Sequence, residues 1–336
     1  MTNHYPWYDP RNPPYINPWA DDSDPPADEV ICEENRQKLA AETPKGIYDY
    51  LNRRILKQDE AKRCAAMVLY NALHGHSEHA FFIGPSGSGK TAIWRALQNI
   101  YPEMIVICDG SRLTTEGFKG DVKVADLLKN EAILNRNGNA ILVVDEADKT
   151  FAWKETSSRE SVGQQLAAEF LKLMDGITIP ITSNKTTYYV DTRRISFVFC
   201  GAFSKAAHEI ADKKNWKKIG FGDIHQEAKA YDNEITTEDL IAHGVLPELL
   251  GRISRVVNLS PMTTDDYYEM LGAECSPAAR LERQYGVSIS LSPETRRALA
   301  ETAASSGLGT RAVESALRQK LDEALFENCE QSSFEF

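Results

Sequence analysis

The sequence contains no C-x-x-C pair; its six cysteines, Cys32, Cys64, Cys108, Cys200, Cys275 and Cys329, are spread far apart. That excludes a cysteine zinc finger and fits reduced thiols of an intracellular protein better than a disulfide framework. No apolar run reaches the about 18 residues of a membrane span, so none is expected. No basic segment followed by an apolar one stands at the N-terminus. A signal peptide is therefore not expected, and the cytoplasm is the expected location. Positive charge is in deficit, with 38 Lys and Arg against 49 Asp and Glu and a net charge of −11. That balance argues against non-specific nucleic-acid binding, which depends on releasing counterions from phosphates. No internal repeat is visible. What is present is ordinary for a globular chain: 42% hydrophobic and 26% charged residues. The length of 336 residues suits about two domains.

The first 44 residues differ from the rest. They hold eight of the fifteen prolines, with nine acidic and three basic residues. They show no apolar periodicity before residue 30. Such a segment buries too little to offset its ordering entropy. Residues 1–43 therefore read as a Pro-rich acidic tail, largely disordered alone. Yet the tail carries Tyr5, Trp7, Tyr8, Tyr15 and Trp19. Those aromatics either pack loosely on the chain's own domain or fold onto a partner whose identity the sequence does not give.

Thr43-Pro44 reads as a helix start, a Thr cap with Pro in the first turn. A second helix is expected after Asp59, with Ala61, Cys64, Ala65, Val68, Leu69, Ala72 and Leu73 on one stripe. Short apolar runs follow at Ala80–Ile83, Met104–Cys108, Ile141–Val144, Ile195–Phe199 and Val256–Leu259, separated by longer segments. Buried strands alternating with helices predict an α/β fold with a parallel sheet over residues 44–260. After Pro261 no run reads as a strand, and residues 264–285, 294–305 and 311–328 read as helical. Residues 261–330 are thus expected to form a small, mainly helical domain, and 331–336 a short tail.

Gly84-Pro85-Ser86-Gly87-Ser88-Gly89-Lys90-Thr91 fits G-x-x-x-x-G-K-[ST] between an expected strand and an expected helix, the context in which a phosphate-binding loop is credible. Glycines let backbone N–H groups curl round phosphate oxygens, and the helix N-terminus adds a positive dipole end. Lys90 is expected to reach the β- and γ-phosphates, and Thr91 to ligate Mg²⁺. About fifty residues on, the strand Ile141–Val144 runs into Asp145-Glu146. Asp145 is expected to hold Mg²⁺, and Glu146 to polarise an attacking water. Together the two motifs predict hydrolysis of ATP as well as its binding.

Further segments, in order, carry a resemblance. Asp145-Glu146-Ala147-Asp148-Lys149, Gly201-Ala202-Phe203, Asp239-Leu240-Ile241 with Gly244, Pro247-Glu248 and Gly251-Arg252, and Gly309-Thr310-Arg311 are the segments concerned. Between about Pro44 and Leu325 the chain resembles the AAA+ unfoldases of the ClpX type. The resemblance implies a P-loop ATPase domain with a central parallel sheet, followed by a small helical domain. It implies that Arg252 is an arginine finger reaching a neighbouring subunit's ATP, and that Arg311 contacts phosphate from the small domain. It implies that Ile55 and Leu56 flank the adenine, although an aliphatic pair there is equally plain core. Gly117-Phe118-Lys119-Gly120 falls at the family's pore loop, so that Phe118 and Lys119 would grip a polypeptide; an ordinary turn is the other reading. Residues around Ser157–Gln164 fall at a second pore loop. Ile219-Gly220-Phe221-Gly222, in a lysine-rich stretch, resembles the loop that docks on a ClpP-type peptidase; a hydrophobic plug against the domain is the other reading.

The chain also departs from the family. A Pro/aromatic tail stands where the zinc-binding N-terminal domain is found. Lys57 replaces a glycine next to the nucleotide, Thr182–Tyr189 replace a basic loop near the pore, and the chain stops at Phe336, short of the family's last strand. The expectation is an ATP-driven unfoldase, working as a homo-hexameric ring that threads polypeptide substrate to a ClpP-type peptidase. The alternatives are a stand-alone remodeller of one complex and an ATP-dependent assembly switch. Against a switch stand Glu146 and Arg252. A DNA-acting ATPase is disfavoured by the acidic composition.

Overall fold

Aliphatic runs with no polar face must be covered on both sides; three of the five expected strands are buried almost throughout, and the two outer ones only in part. A computed structural model describes residues 42–114, 122–151, 157–217, 231, 234–273, 276–306, 309–328 and 331–336. Two helices lead, α1 (Pro44–Asn52) and α2 (Asp59–Leu73). The Thr43 hydroxyl accepts from the Gly46 N–H at 3.1 Å, the expected cap. Then come β1 (Ala80–Ile83), α3 (Lys90–Gln98), β2 (Ile105–Asp109), β3 (Leu113–Thr114), β4 (Val122–Lys123), and the one-turn helices α4 (Val124–Leu127) and α5 (Glu131–Leu134). They are followed by β5 (Ile141–Asp145), α6 (Ala147–Phe151), α7 (Ser157–Met174), the hairpin strands β6 (Thr178–Ser183) and β7 (Thr186–Asp191), and β8 (Ser196–Gly201). The large unit closes with α8 (Ser204–Lys217), α9 (Thr237–Ala242), α10 (Pro247–Leu250) and β9 (Arg255–Asn258).

The central sheet has the order β2-β5-β8-β1-β9, with every described pairing parallel. Successive residues of a strand point to opposite faces. Phe81, Ile83, Leu142, Val144, Phe197 and Phe199 enter one core, together with Phe151 and Phe170 from α6 and α7. Phe82, Ile141, Val143 and Val198 enter the other, against α1, α2 and α3. Aromatic edges lock the first core: Phe199 lies 5.2 Å from Phe151 and 5.4 Å from Phe170, both T-shaped.

A third core is built after Pro261 from α11 (Thr264–Leu271), α12 (Pro277–Tyr285), α13 (Pro293–Ser306) and α14 (Thr310–Glu327). Two strands correct the helical expectation here. β10 (Ser288–Ser290) pairs in parallel with β11 (Ser333–Glu335), which also corrects the expectation that the chain stops at Phe336 short of a last strand. The expected 331–336 tail is therefore part of this unit, because Phe334 is buried in its core. The β6–β7 hairpin is a second element that periodicity did not predict. Asn184 and Lys185, both with positive φ (49° and 64°), form its tight turn, so Thr182–Tyr189 lie in the outer half of a short hairpin.

His79, just before β1, has a consequence for stability. Its Nδ1 accepts from the Phe197 N–H at 3.2 Å, and burial lowers its pKa from 6.5 to about 4, against the opposing pull of Glu78. Between those values the unfolded chain binds a proton that the fold does not, so stability present above pH 6.5 is lost as pH falls towards 4. The slope reaches at most about 1.4 kcal/mol per pH unit for one proton. Urea unfolding at a series of pH values should show this decline, and His79→Gln should flatten it.

Candidate nucleotide site

Parallel strands bring their carboxyl ends to one edge, where α/β folds place their ligands. The P-loop leaves β1 there, and Asp145 ends β5, with β8 between them. Gly89 takes a φ of 97°, a left-handed turn open to glycine, and passes directly into α3. The Lys90 ammonium turns inward, donating to the carbonyl oxygens of Gly84 at 2.6 Å and Pro85 at 2.9 Å. Burial lowers its pKa; Asp145 and Asp148 oppose that shift, and the Arg311 charge adds to it. The Ser88 hydroxyl is buried and has no hydrogen-bond partner among the described residues. A buried orphan hydroxyl beside a buried ammonium, at a helix N-terminus, fits phosphate oxygens.

Thr91 Oγ1 donates to Asp145 Oδ2 at 2.6 Å, joining the two motifs across the strand edge. A hydroxyl and a carboxylate so placed are hard oxygen ligands suited to Mg²⁺. Glu146 has a φ of 54°, which is strained for a residue with a side chain. Its carboxylate meets Lys149 Nζ at 2.6 Å. Asp148, visible in the sequence only as part of a motif, accepts from the Ala202 N–H at 3.0 Å and ties the end of β8 to α6.

The small unit closes on this loop. Gly309 precedes α14 with a φ of 59°. A methyl built there would stand 3.1 Å from the Gly87 Cα and 2.8 Å from the Tyr267 hydroxyl. Arg311 lies in the first turn of α14, close enough to Lys90 to depress its pKa. Ile55 approaches the P-loop from the other side, 3.8 Å from where a Gly89 Cβ would lie, and both Ile55 and Leu56 are half-buried. Arg252 makes its described bonds outside the P-loop. Its guanidinium bonds Asp175 at 2.5 Å and the Glu248 carbonyl at 2.8 Å. Ser157–Gln164 form the first turns of α7. Phe118 and Lys119, and Ile219, Gly220 and Phe221, lie outside the described residues. Among the described residues no three or more of His, Cys, Asp and Glu cluster as metal ligands by themselves, and no helix is long and apolar enough to cross a membrane.

The fold is the α/β fold of the AAA+ ATPases. A model described as "ATPase family associated with various cellular activities (AAA)" matches residues 80–206. Over nearly its whole length the chain is ClpX-like. It is 26% identical to the ATP-dependent Clp protease ATP-binding subunit ClpX of Treponema denticola, across 86% of this chain and 78% of that protein. It is likewise 26% identical to the ATP-dependent Clp protease ATP-binding subunit ClpX 2 of Wolinella succinogenes, across 88% of this chain and 81% of that protein.

Gly309 gives a direct test of the closed contact. Gly309→Ala should weaken ADP binding about tenfold or more, since its backbone conformation and the Gly87 backbone both resist a Cβ. Gly286→Ala is the control: its φ is also positive, at 69°, but nothing lies within 4 Å. It should lower the unfolding midpoint while leaving ADP affinity unchanged, as measured by calorimetric titration.

Proposed function

We propose that this ATPase unfolds proteins by threading them through the pore of a homo-hexameric ring and delivers them to a ClpP-type peptidase. The observation that carries the reading is the two-part nucleotide site: Thr91 and Asp145 joined at 2.6 Å on the large unit, with Gly309 and Arg311 closing over the P-loop from the small one. A site shared by two bodies converts a change in its contents into relative movement of those bodies.

The chain's residues take these roles. Amides of residues 84–89 and the Lys90 ammonium hold the phosphates of ATP, and Ile55 and Leu56 flank the adenine. Thr91 and Asp145 would hold Mg²⁺, which supplies neutralising charge at the β- and γ-phosphates. Glu146 leaves Lys149 to accept a proton from the attacking water and orient it. Arg311 meets phosphate as the small unit closes. Arg252, held rigid by Asp175 and the Glu248 carbonyl, is offered to the ATP of a neighbouring subunit. Phe118 and Lys119 push on polypeptide in the pore, and Ile219, Gly220 and Phe221 dock on the peptidase. The short hairpin at Thr182–Tyr189 favours a second reading, a remodeller with its own narrow substrate set and no peptidase.

Degradation of a stable fluorescent substrate, with ATP and a ClpP-type peptidase, separates these readings. Phe118→Ala should keep ATP hydrolysis but abolish unfolding. Phe221→Ala should keep unfolding but abolish degradation. Glu146→Gln should bind ATP and lose about 10²–10⁴-fold in turnover, the range for removing a general base. Unfolding undiminished in Phe118→Ala would sink the pore-loop role. Unfolding without peptidase binding in the unmodified protein would leave the stand-alone remodeller.

A further inference from the structure

Residues Lys57 and Gln58 join α1 to α2, and both are left-handed, with φ of 54° and 59°. Side chains other than those of Gly, Asn or Asp take this conformation at a cost of order 1 kcal/mol. A long side chain that stays there needs a contact glycine could not make. Lys57 makes one across the gap between the two units. Its ammonium meets Asp266 Oδ1 at 2.5 Å, and the Asp266 side chain is only 5% exposed. Burial would raise the Asp266 pKa, but Lys57 and the Thr263 hydrogen bonds outweigh it and hold the carboxyl below its usual value. Beside this pair, Gln58 Nε2 donates to the Ser260 carbonyl at 2.8 Å, and its Oε1 accepts from the Ser260 N–H at 3.2 Å.

The loop itself is anchored from within. Lys62 is buried, with its ammonium on the Asn52 side chain at 2.5 Å, the Ile55 carbonyl at 3.2 Å and Asp59 at 2.9 Å. Asp266 therefore meets a fixed cation. The next residue, Tyr267, is buried with its hydroxyl against Gly309, which lies on Gly87 of the P-loop. A closed circuit results: from Ile55 through Lys57 to Asp266 and Tyr267, then to Gly309, and back to the loop that Ile55 flanks.

We infer that Lys57 is a positioning residue for the nucleotide: its ion pair with Asp266 seats the small unit so that Gly309 and Arg311 are held over the P-loop and bound nucleotide is released slowly. The inference rests on the reading that nucleotide occupies the P-loop between the two units. Lys57 touches no phosphate in this scheme and acts through Asp266. An exposed ion pair contributes little, but this one leaves a buried carboxylate without its cation when broken, and that costs more.

The test is the release of N-methylanthraniloyl-ADP, with Mg²⁺, from the full chain in a stopped-flow instrument. Lys57→Gly removes the ammonium and relieves the backbone. It should speed release about fivefold, the upper end for a pair whose cation is half-exposed, and raise KM for ATP more than it changes kcat. Lys57→Arg should restore slow release. Raising salt should speed release from the unmodified chain more than from Lys57→Gly, narrowing the difference between them. Asp266→Asn should match Lys57→Gly, with little added effect in the double variant. Release unchanged in Lys57→Gly, or a shifted unfolding midpoint with unchanged release, would overturn the proposal while leaving the site intact. Failure of the unmodified chain to bind the fluorescent ADP would overturn the reading of the site and this inference with it.

Discussion

One direction shared by all five strands of the central sheet constrains everything else in the large unit. Parallel neighbours need long crossovers, and those crossovers supply the helices that bury both faces. The same rule puts every strand's carboxyl end on one edge. The P-loop leaves β1 at that edge, and Asp145 terminates β5, two strands away in the sheet order. The 2.6 Å bond between Thr91 and Asp145 depends on this register, because a hydroxyl on α3 meets a strand end that is distant in sequence. Shifting β5 by one residue would turn Asp145 into a core and bring Val144 to the loop.

The small unit depends on the large one in a different way. Its own core, around Leu281, Leu299, Leu317 and Phe334, holds its helices together without help from the sheet. Among the described residues, its contacts with the P-loop side include specific ones: the bare backbone of Gly309 against Gly87, the Arg311 charge near Lys90, and Lys57 with Asp266. Directional polar contacts of this kind suit a joint that opens and closes, since a broad apolar interface would hold the two units in one arrangement.

Much of this was legible in the sequence, for physical reasons that differ by element. The three inner strands stand out as continuous apolar runs because both faces are buried, and the observed bounds of all five lie within two residues of the expected ones. The hairpin did not stand out: β6 and β7 are mostly exposed and rich in Thr, which masks alternation. β10 and β11 bury one residue each, Ile289 and Phe334, too few to set a period. The nucleotide motifs were legible because their chemistry is local in sequence. Lys57 stands out in the sequence only as a departure from glycine. Its partner was hidden because nothing near Asp266 points to residue 57; only the Thr263–Asp266 capping box was readable there. Gly309 gave a motif, but its contact with Gly87 is a matter of packing between units.

The account turns on relative motion of the two units driven by the contents of the site between them. Tyr189 on the hairpin and Phe326 near the end of α14 are both well exposed, at 67% and 89%, and suit spectroscopic labels. The most direct measurement is the distance between labels at these two positions, followed through a single round of ATP binding and hydrolysis. The account predicts a distance that changes on binding, holds while ATP persists, and returns as product leaves. A distance that stays constant while ATP is turned over would contradict it.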